Sequence, residues 1–275
     1  MIYLADESFV ERILYRLVRK HISGPTMSSA ISKTKELNSK KMPVSITFLS
    51  NNIANRAKAR YVTTTYIELV RQLSRLGLKA SIQIPVDQIG FAFDEDAAVE
   101  NLRSIVEVAN KYGIFVWAEV GDAKNGIFDC FEKFRGVGIA ADVADAVKYV
   151  KKHKRARPIK VMLNTQGTKK KPYSALVKDI DFLSGMVSNM VLFSTPDETL
   201  WEILSKKLNK SVVYEFRFGY SNKKIRKAMK RGAKVSIYMP FGKEWEAYAM
   251  NNVPEGYMRF LASKLLSESG SQGGA

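Results

Sequence analysis

The stretch VVYEFRFGYSNKKIRKAMKRGAKVSIYMPFG (212–242) contains the repeating unit of the chain, a strand followed by a helix and a second strand. Its two apolar runs, 212–218 and 234–241, have the length and composition of buried strands. Between them, the segment 221–232 opens on Ser221 and closes on Gly232, as helices commonly do. This order predicts two parallel strands joined by a helix.

Apolar runs of the same kind recur along the chain and alternate with helical patterns such as 54–77 and 94–113. The further predicted strands are 44–50, 79–85, 114–120, 136–142, 158–164 and 190–195. Eight strands alternating with helices predict an α/β fold, a (βα)8 barrel of the TIM type, with a doubly wound open sheet as the alternative. We expect one domain over 1–266 with an extra N-terminal helix at about 7–21. The Ser/Gly-rich end, 267–275, is expected to be a flexible tail.

Several kinds of chemistry are disfavoured by composition. The single Cys130 excludes an intrachain disulfide and a thiolate metal cage. The two histidines, His21 and His153, lie away from the predicted strand ends, which argues against a Ser-His-Asp triad and a catalytic metal. The glycines of GVGIAAD (136–142) open a strand rather than a helix, so they predict a packing or turn feature. No apolar run is long enough to cross a membrane, and a cytoplasmic location is expected.

The chain is strongly basic. Its 44 Lys and Arg against 27 Asp and Glu give a formal net charge of +17, which attracts polyanions such as nucleic acids. The alternative is a lysine-rich, solvated surface of the kind found in thermophilic proteins. Two windows lack acids altogether: 146–178 has eleven cations and 222–243 has eight. Two such windows favour a polyanionic partner.

The sequence also resembles a known family. The segment YEFRFGYSNKKIRKAMKRGAKVSIYMPFGKEWEAYAMNNV (214–253) is similar to the C-terminal part of the flavin-dependent proline dehydrogenases, which has a strand F-E-F-Q-x-L-Y-G and a strand V-Y-V-P-Y-G. The segments 22–52 and 66–91 resemble the first strands and helix of that family. The resemblance implies a (βα)8 barrel with FAD at its mouth. It retains Tyr220 and Tyr238 of the family pattern.

The resemblance also shows where the family's functional residues are replaced. In the expected substrate pocket, Pro85 stands for a lysine, Glu119 for an aspartate and Asn251-Asn252 for an arginine pair. At the expected flavin contacts, Asp142 stands for a glutamine, Lys160 for an arginine and Pro196 for a histidine. Because a buried carboxylate is held best by charged arginine donors, these replacements together predict a pseudoenzyme with neither catalysis nor a cofactor.

The main hypothesis is therefore a non-catalytic barrel that binds structured RNA, with ribosomal RNA as the expected target and inhibition or storage of ribosomes as the expected role. The residues predicted to bind RNA are Lys151, Lys152, Lys154, Arg155, Arg157, Lys169, Lys170, Lys171, Lys223, Lys224, Arg226, Lys227, Lys230 and Arg231. The alternative hypothesis is an FAD-dependent oxidoreductase of proline or a related imino acid, which would use Glu119, Lys160, Tyr220 and Tyr238. A peripheral membrane protein is a third hypothesis, disfavoured because no helix pairs its cations with a strong aromatic face.

Overall fold

The computed structural model describes residues 19–245 and Tyr248, except 52, 122–126, 132–133, 154–156, 164–171, 188, 194–197 and 209–211. The N-terminal helix is predicted at about 7–21. Its positions up to 18 lie outside the described residues, and residues 19–21 form a turn. The predicted tail also lies outside them. No helix of the described part of the chain combines the length and the apolarity that a membrane crossing requires.

Eight parallel strands form a closed barrel in which each strand pairs with the next along the chain and β8 pairs with β1. All eight predicted strands are thereby confirmed, and the open-sheet alternative is wrong. The strands are β1 Val44–Phe48, β2 Ala80–Pro85, β3 Phe115–Glu119, β4 Val137–Asp142, β5 Ile159–Met162, β6 Met190–Phe193, β7 Val213–Arg217 and β8 Lys234–Phe241.

Helices follow the strands around the outside of the barrel, and one further helix, α1, precedes β1 and packs across β1 and β8. A single turn of 3₁₀ helix, Val86–Ile89, follows β2. The α-helices are α1 Met27–Ser39, α2 Arg56–Arg75, α3 Glu95–Lys111, α4 Ile127–Phe131, α5 Val143–Lys152, α6 Tyr173–Met186, α7 Glu198–Lys207 and α8 Asn222–Lys230.

Local sequence explains where α2 and α3 begin and end. The Asn55 side chain accepts a hydrogen bond from the Lys58 amide at 2.9 Å, and Asp94 caps α3 through the Ala97 amide at 3.1 Å. Such caps satisfy amides that have no partner within the helix. Gly77 and Gly113 follow the two helices with φ angles of +60° and +68°, a conformation that glycine adopts without strain.

Apolar side chains form two separate clusters. The larger one fills the space between the strands and the helices, and Ile46, Ile82 and Leu102 are among its fully buried members. The smaller one, built on Trp117, Ala140 and Val191, lies inside the barrel. Side chains alternate between the two faces of a strand, so a barrel strand contributes to both clusters.

Gly138 provides the space that the Trp117 ring occupies inside the barrel. A Cβ atom at position 138 would lie 2.5 Å from the indole ring and 2.9 Å from the Pro158 carbonyl oxygen. The neighbouring Gly136 turns the chain into β4 with a φ angle of +75°. These glycines therefore serve packing and a turn, as the sequence predicts.

The chain leaving β8 stays at the carboxyl end of the barrel, which we call the mouth. The Glu244 side chain accepts a hydrogen bond from the Asn51 amide at 2.5 Å, and the Asn51 side chain donates to the Glu244 carbonyl at 2.9 Å. Lys58 forms an ion pair with Glu244 at 3.1 Å, and Trp245 is buried. These contacts join the segment after β8 to the end of β1.

Candidate functional site

Polar side chains from several strands converge at the mouth. Pro85 aligns with Glu119 across β2 and β3, and Arg217 aligns with Tyr238 across β7 and β8. Pro85, Glu119 and Arg217 occupy the last inward-facing positions of their strands, and Tyr238 lies one inward-facing position before the end of β8. In barrels of this type the reactive groups lie at the carboxyl ends of the strands, so this layer is the candidate ligand site.

Glu119 is the acid of this layer. Its Oε2 accepts a hydrogen bond from Gln83 Nε2 at 2.7 Å. Burial raises the pKa of its carboxyl group, although the hydrogen bond from Gln83 and the charges of Lys160 and Arg217 oppose the rise. A carboxyl group in this environment can exchange a proton at a higher pH than an exposed one.

Aromatic rings enclose the cation of the layer. The Arg217 guanidinium carbon lies 5.2 Å from the centre of the Phe193 ring, and Phe193 meets Tyr238 edge to face at 5.1 Å. Burial raises the pKa of Tyr238 well above its usual value, with Glu119 as the next cause. Burial likewise raises the pKa of Tyr248 to about 12. Both phenols therefore keep their protons and can act as hydrogen-bond donors.

A carboxylate and a guanidinium that interact at the mouth suit a small zwitterion. Arg217 can hold a carboxylate by paired hydrogen bonds, and Glu119 can accept one from an ammonium or iminium group. The contact of Arg217 with the Phe193 ring also positions its guanidinium group.

A buried ion pair lies directly below the mouth. Lys160 Nζ is 2.7 Å from Glu215 Oε2, 2.7 Å from Gln83 Oε1 and 2.9 Å from Ser45 Oγ. Ser236 Oγ donates to the other Glu215 oxygen at 2.9 Å. We call these five residues the lumen network. Their side chains link strands β1, β2, β5, β7 and β8 across the interior of the barrel.

Burial governs the electrostatics of the lumen network. Lys160 is fully buried, and desolvation lowers its pKa while the Glu215 carboxylate opposes that change. The ammonium group also lies 5.0 Å from the centre of the Trp117 ring, in a cation–π contact. With three acceptors and a ring face, the ammonium of Lys160 is saturated by the protein itself.

Comparison with known proteins identifies the chain's relatives. No family model matches it. Proline dehydrogenase 1 of Bacillus subtilis is 22% identical over 263 residues, which cover 86% of each chain. Proline dehydrogenase of Deinococcus radiodurans is 22% identical over 285 residues, which cover 90% of this chain and 89% of the other. The chain is therefore similar to proline dehydrogenases over most of its length.

Solved structures agree on the fold. Proline utilization A (PutA) of Bdellovibrio bacteriovorus superposes with a TM-score of 0.67 at 12% identity, covering 89% of this chain and 33% of PutA. PutA of Corynebacterium freiburgense gives a TM-score of 0.65 at 12% identity, covering 95% of this chain and 35% of PutA. The chain thus spans about a third of the PutA chains that it matches. The resemblance predicted from the sequence is confirmed.

The positions predicted from the proline dehydrogenase pattern divide into three groups. Pro85, Glu119 and Tyr238 meet at the mouth, as expected. Lys160 lies in the lumen network beneath them, and Asp142 caps α5 by accepting a hydrogen bond from the Asp145 amide at 2.8 Å. The third group lies outside the described residues and comprises Pro196, Asn251 and Asn252.

Tyr220 does not lie with Glu119 and Tyr238 at the mouth. Its ring stacks on Phe216 at 5.6 Å, and its hydroxyl lies 3.4 Å from Lys224 Nζ. It lines a groove on the side of the barrel between α1 and α8. The expectation that Tyr220 and Tyr238 share one site is therefore corrected, because the turn after β7 carries Tyr220 outward.

The predicted RNA-binding residues occupy two separate parts of the barrel. Lys151 and Lys152 are exposed at the end of α5, while Arg157 is half-buried and donates to the Phe134 carbonyl. Along and just after α8, Lys223, Arg226, Lys227, Lys230 and Arg231 are exposed and Lys224 is half-buried. The remaining predicted residues, Lys154, Arg155, Lys169, Lys170 and Lys171, lie outside the described residues.

In the part of the chain that the structure describes, the two basic windows lie on helices that are not neighbours. Helices α6 and α7 lie between α5 and α8 in barrel order. Lys160 belongs to the first window by sequence but faces the lumen. The exposed cations of α8 and its end, Lys223, Arg226, Lys227, Lys230 and Arg231, are called the α8 basic face below.

Sequence reasoning assigned no site role to Gln83 or Arg217. Both are polar residues at alternate positions of otherwise apolar strands, where the side chain must point into the barrel. That signal could have identified them. Among the described residues, no group of three or more metal-ligating side chains could hold a metal ion.

Proposed function

We propose that this proline-dehydrogenase-like barrel binds structured RNA through the α8 basic face. The observation that carries the proposal is the density of exposed cations: four of the nine residues of α8 are exposed Lys or Arg, and the exposed Arg231 follows them. No acid occurs between 222 and 243. Lys227 forms an ion pair of 3.6 Å with Glu202 of the neighbouring helix α7. Phosphate groups spaced along an RNA backbone match such a row of cations.

The form of α8 favours RNA over a membrane surface. Its buried residues, Ile225 and Ala228, pack against the barrel. A helix that lies in a membrane interface directs its apolar face outward into the lipid. Because the apolar side of α8 is already used by the protein, only its charged side is available to a partner.

Ribosomal RNA is the proposed target, because it is the most abundant structured RNA in a cell and the binding expected here reads backbone shape rather than sequence. A barrel bound to a ribosome at a functional surface would inhibit translation or store ribosomes. Sedimentation of the protein in a cell extract, with and without ribonuclease, tests the target directly. Co-migration with a ribosomal subunit that ribonuclease abolishes is the expected result.

A charge-neutralised variant tests the surface. Changing Lys223, Arg226, Lys227 and Lys230 to glutamine should weaken RNA binding and flatten its dependence on salt. Each lost phosphate contact reduces the slope of log K against log salt by about 0.7–0.9, so four contacts predict a change of roughly 3. The matched control neutralises four other exposed cations, Arg71, Lys79, Arg103 and Lys111. Equal slopes for the two variants would refute the assignment to α8.

The relatives support a second candidate, an oxidoreductase of proline or a related imino acid. These relatives are proline dehydrogenases, and similarity to them is more direct support than any that RNA binding has. The mouth adds Glu119, Arg217 and Tyr238, which suit a small zwitterion. Transfer of this activity to the present chain is a proposal.

The family resemblance implies FAD for such a reaction, and the described residues do not fit it well. At the expected flavin contacts, the ammonium of Lys160 is saturated by the lumen network, and the Asp142 carboxylate caps α5. Neither side chain is therefore available to a flavin at these two positions. Purified protein that shows a flavin spectrum and reduces a dye with proline would establish the oxidoreductase and overturn the non-catalytic proposal.

A further inference from the structure

A groove on the side of the barrel lies between α1 and α8. Its volume is about 560 Å³, and its lining residues belong to the described part of the chain. The floor is apolar, formed by Leu37, Met42, Ile225 and Ile237. A cavity of this size and polarity is in the range of small-molecule sites.

Charged side chains line the rim of the groove. Lys33 and Lys40 come from α1, and Arg226 comes from α8. Glu36 is the acid of the lining, and its carboxylate forms ion pairs of 2.8 Å with both Lys33 and Lys40. Hydrogen bonds from these two lysines lower the pKa of Glu36 to about 2. Arg217 also lines the groove, so the lining carries four cations and one anion.

An aromatic side chain adds a ring to one wall. Tyr220 lines the groove and is braced from behind by the stacked ring of Phe216. The Lys224 ammonium lies 5.4 Å from the centre of the Tyr220 ring. Met229, 39% exposed, borders the opening on the α8 side. An apolar floor, one ring and a cationic rim are the elements by which proteins hold an unstacked base and its phosphates.

We propose that this groove binds an unpaired nucleobase of the RNA that the α8 basic face holds, while Arg226, Lys33 and Lys40 contact the flanking phosphates. The proposal rests on the proposed RNA-binding function and extends it from backbone contact to recognition of single-stranded segments. Continuity supports it, because Arg226 belongs both to the α8 basic face and to the rim. The charge of the rim also complements phosphate rather than a cationic or neutral partner.

The test compares a labelled single-stranded RNA hexamer with a blunt RNA duplex that has no unpaired base. The full-length protein is expected to prefer the hexamer. The Met229→Glu variant places an anion in the groove and beside the α8 basic face, so it should weaken the binding of both RNAs. It should weaken hexamer binding by at least about tenfold more than duplex binding. The control is Met186→Glu on α6, which replaces another exposed methionine (55% exposed) away from the groove.

A second variant changes the sign of the effect. Glu36→Gln removes the acid of the rim, so hexamer affinity should rise relative to the parent protein. Photocrosslinking with a thiouridine-containing hexamer should label a peptide that includes Tyr220 or Met229. Circular dichroism establishes that each variant is folded.

Three outcomes separate this proposal from the one on which it rests. Preference for the hexamer that Met229→Glu abolishes would support the groove. Equal binding of hexamer and duplex, weakened equally by Met229→Glu, would overturn the groove and leave RNA binding by α8 standing. Absence of binding to either RNA at low salt would overturn both.

Discussion

Replacing Lys160 with methionine is expected to lower the free energy of unfolding by about 3–5 kcal/mol, the usual cost of breaking a buried ion pair from one side. The structure explains why the cost should be large. Without the ammonium, Glu215 keeps one donor within the lumen network, Ser236 Oγ at 2.9 Å, and Gln83 Oε1 and Ser45 Oγ lose a partner. A carboxylate buried in that way must become protonated or draw water into the barrel.

Equilibrium urea unfolding, followed by circular dichroism, measures this effect. At about 2–4 °C of melting temperature per kcal/mol for a chain of this size, the melting temperature should fall by roughly 6–20 °C. The control is Lys35→Met, an exposed lysine of α1, which should change stability by less than about 0.5 kcal/mol. A second variant, Lys160→Met with Glu215→Gln, removes both charges and should recover much of the loss.

Two results would refute the reasoning. A loss below about 1 kcal/mol for Lys160→Met would mean that water already reaches the lumen network and screens its charges. A double variant no more stable than Lys160→Met would mean that the cost comes from lost packing rather than from an uncompensated carboxylate.

Three further predictions concern stability. Tyr66→Phe should cost about 1–3 kcal/mol in urea unfolding, because the buried hydroxyl accepts from the Phe48 amide at 3.1 Å and donates to the Gln83 carbonyl at 3.0 Å. Gly138→Ala should cost about 1–3 kcal/mol by thermal unfolding because its methyl group would overlap the Trp117 ring, whereas Gly185→Ala, with nothing within 4 Å, should be neutral or slightly stabilising. Glu119→Gln should raise stability at pH 7, by an amount that grows as pH increases from 4.5, the ordinary pKa of a glutamate. The folded state holds the Glu119 proton more tightly than the unfolded state does, so this carboxyl group favours folding at low pH and loses that contribution as pH rises through its raised pKa.

Each of these three has an outcome that contradicts it. A Tyr66→Phe variant as stable as the parent would mean that water replaces the hydroxyl. Equal costs for Gly138→Ala and Gly185→Ala would mean that the indole ring moves aside. A Glu119→Gln variant with the parent's pH dependence would place the titrating carboxyl group elsewhere.

Apolar runs and helix-ending glycines were sufficient to predict the barrel. A strand that is buried on both faces has a nearly continuous apolar sequence. Gly77 and Gly113 follow the ends of α2 and α3, as the sequence predicts. The lumen network could not be predicted in the same way. Lys160 and Glu215 are 55 positions apart, and their contact exists only because the barrel closes and directs both side chains inward.

The basic windows show the same limit at the surface. The count of eleven cations in 146–178 includes Lys160, which faces the lumen, because a count ignores the alternation of side chains along a strand. On α8 the charge count does correspond to exposed cations. Only Ile225 and Ala228 of this short helix are buried, so most of its other side chains lie in solvent. Tyr220 shows that a family motif does not fix the position of a side chain. It matches the family pattern as Tyr238 does, but it lines the groove between α1 and α8 rather than the mouth.

Stability and chemistry constrain different residues of this barrel, and the two sets can change independently. Removing one member of the Lys160–Glu215 pair leaves the other as an uncompensated buried charge, which destabilises the fold. Stability therefore favours keeping both residues whether or not a reaction occurs at the mouth. Arg217, at the mouth, is partly exposed and can be exchanged at much lower cost to the fold. A family pattern that persists in the lumen is therefore weak evidence for activity, and the residues at the mouth and on α8 decide the function. The flavin spectrum and the salt dependence of RNA binding address these two regions separately, so one protein preparation can discriminate between the two candidate functions.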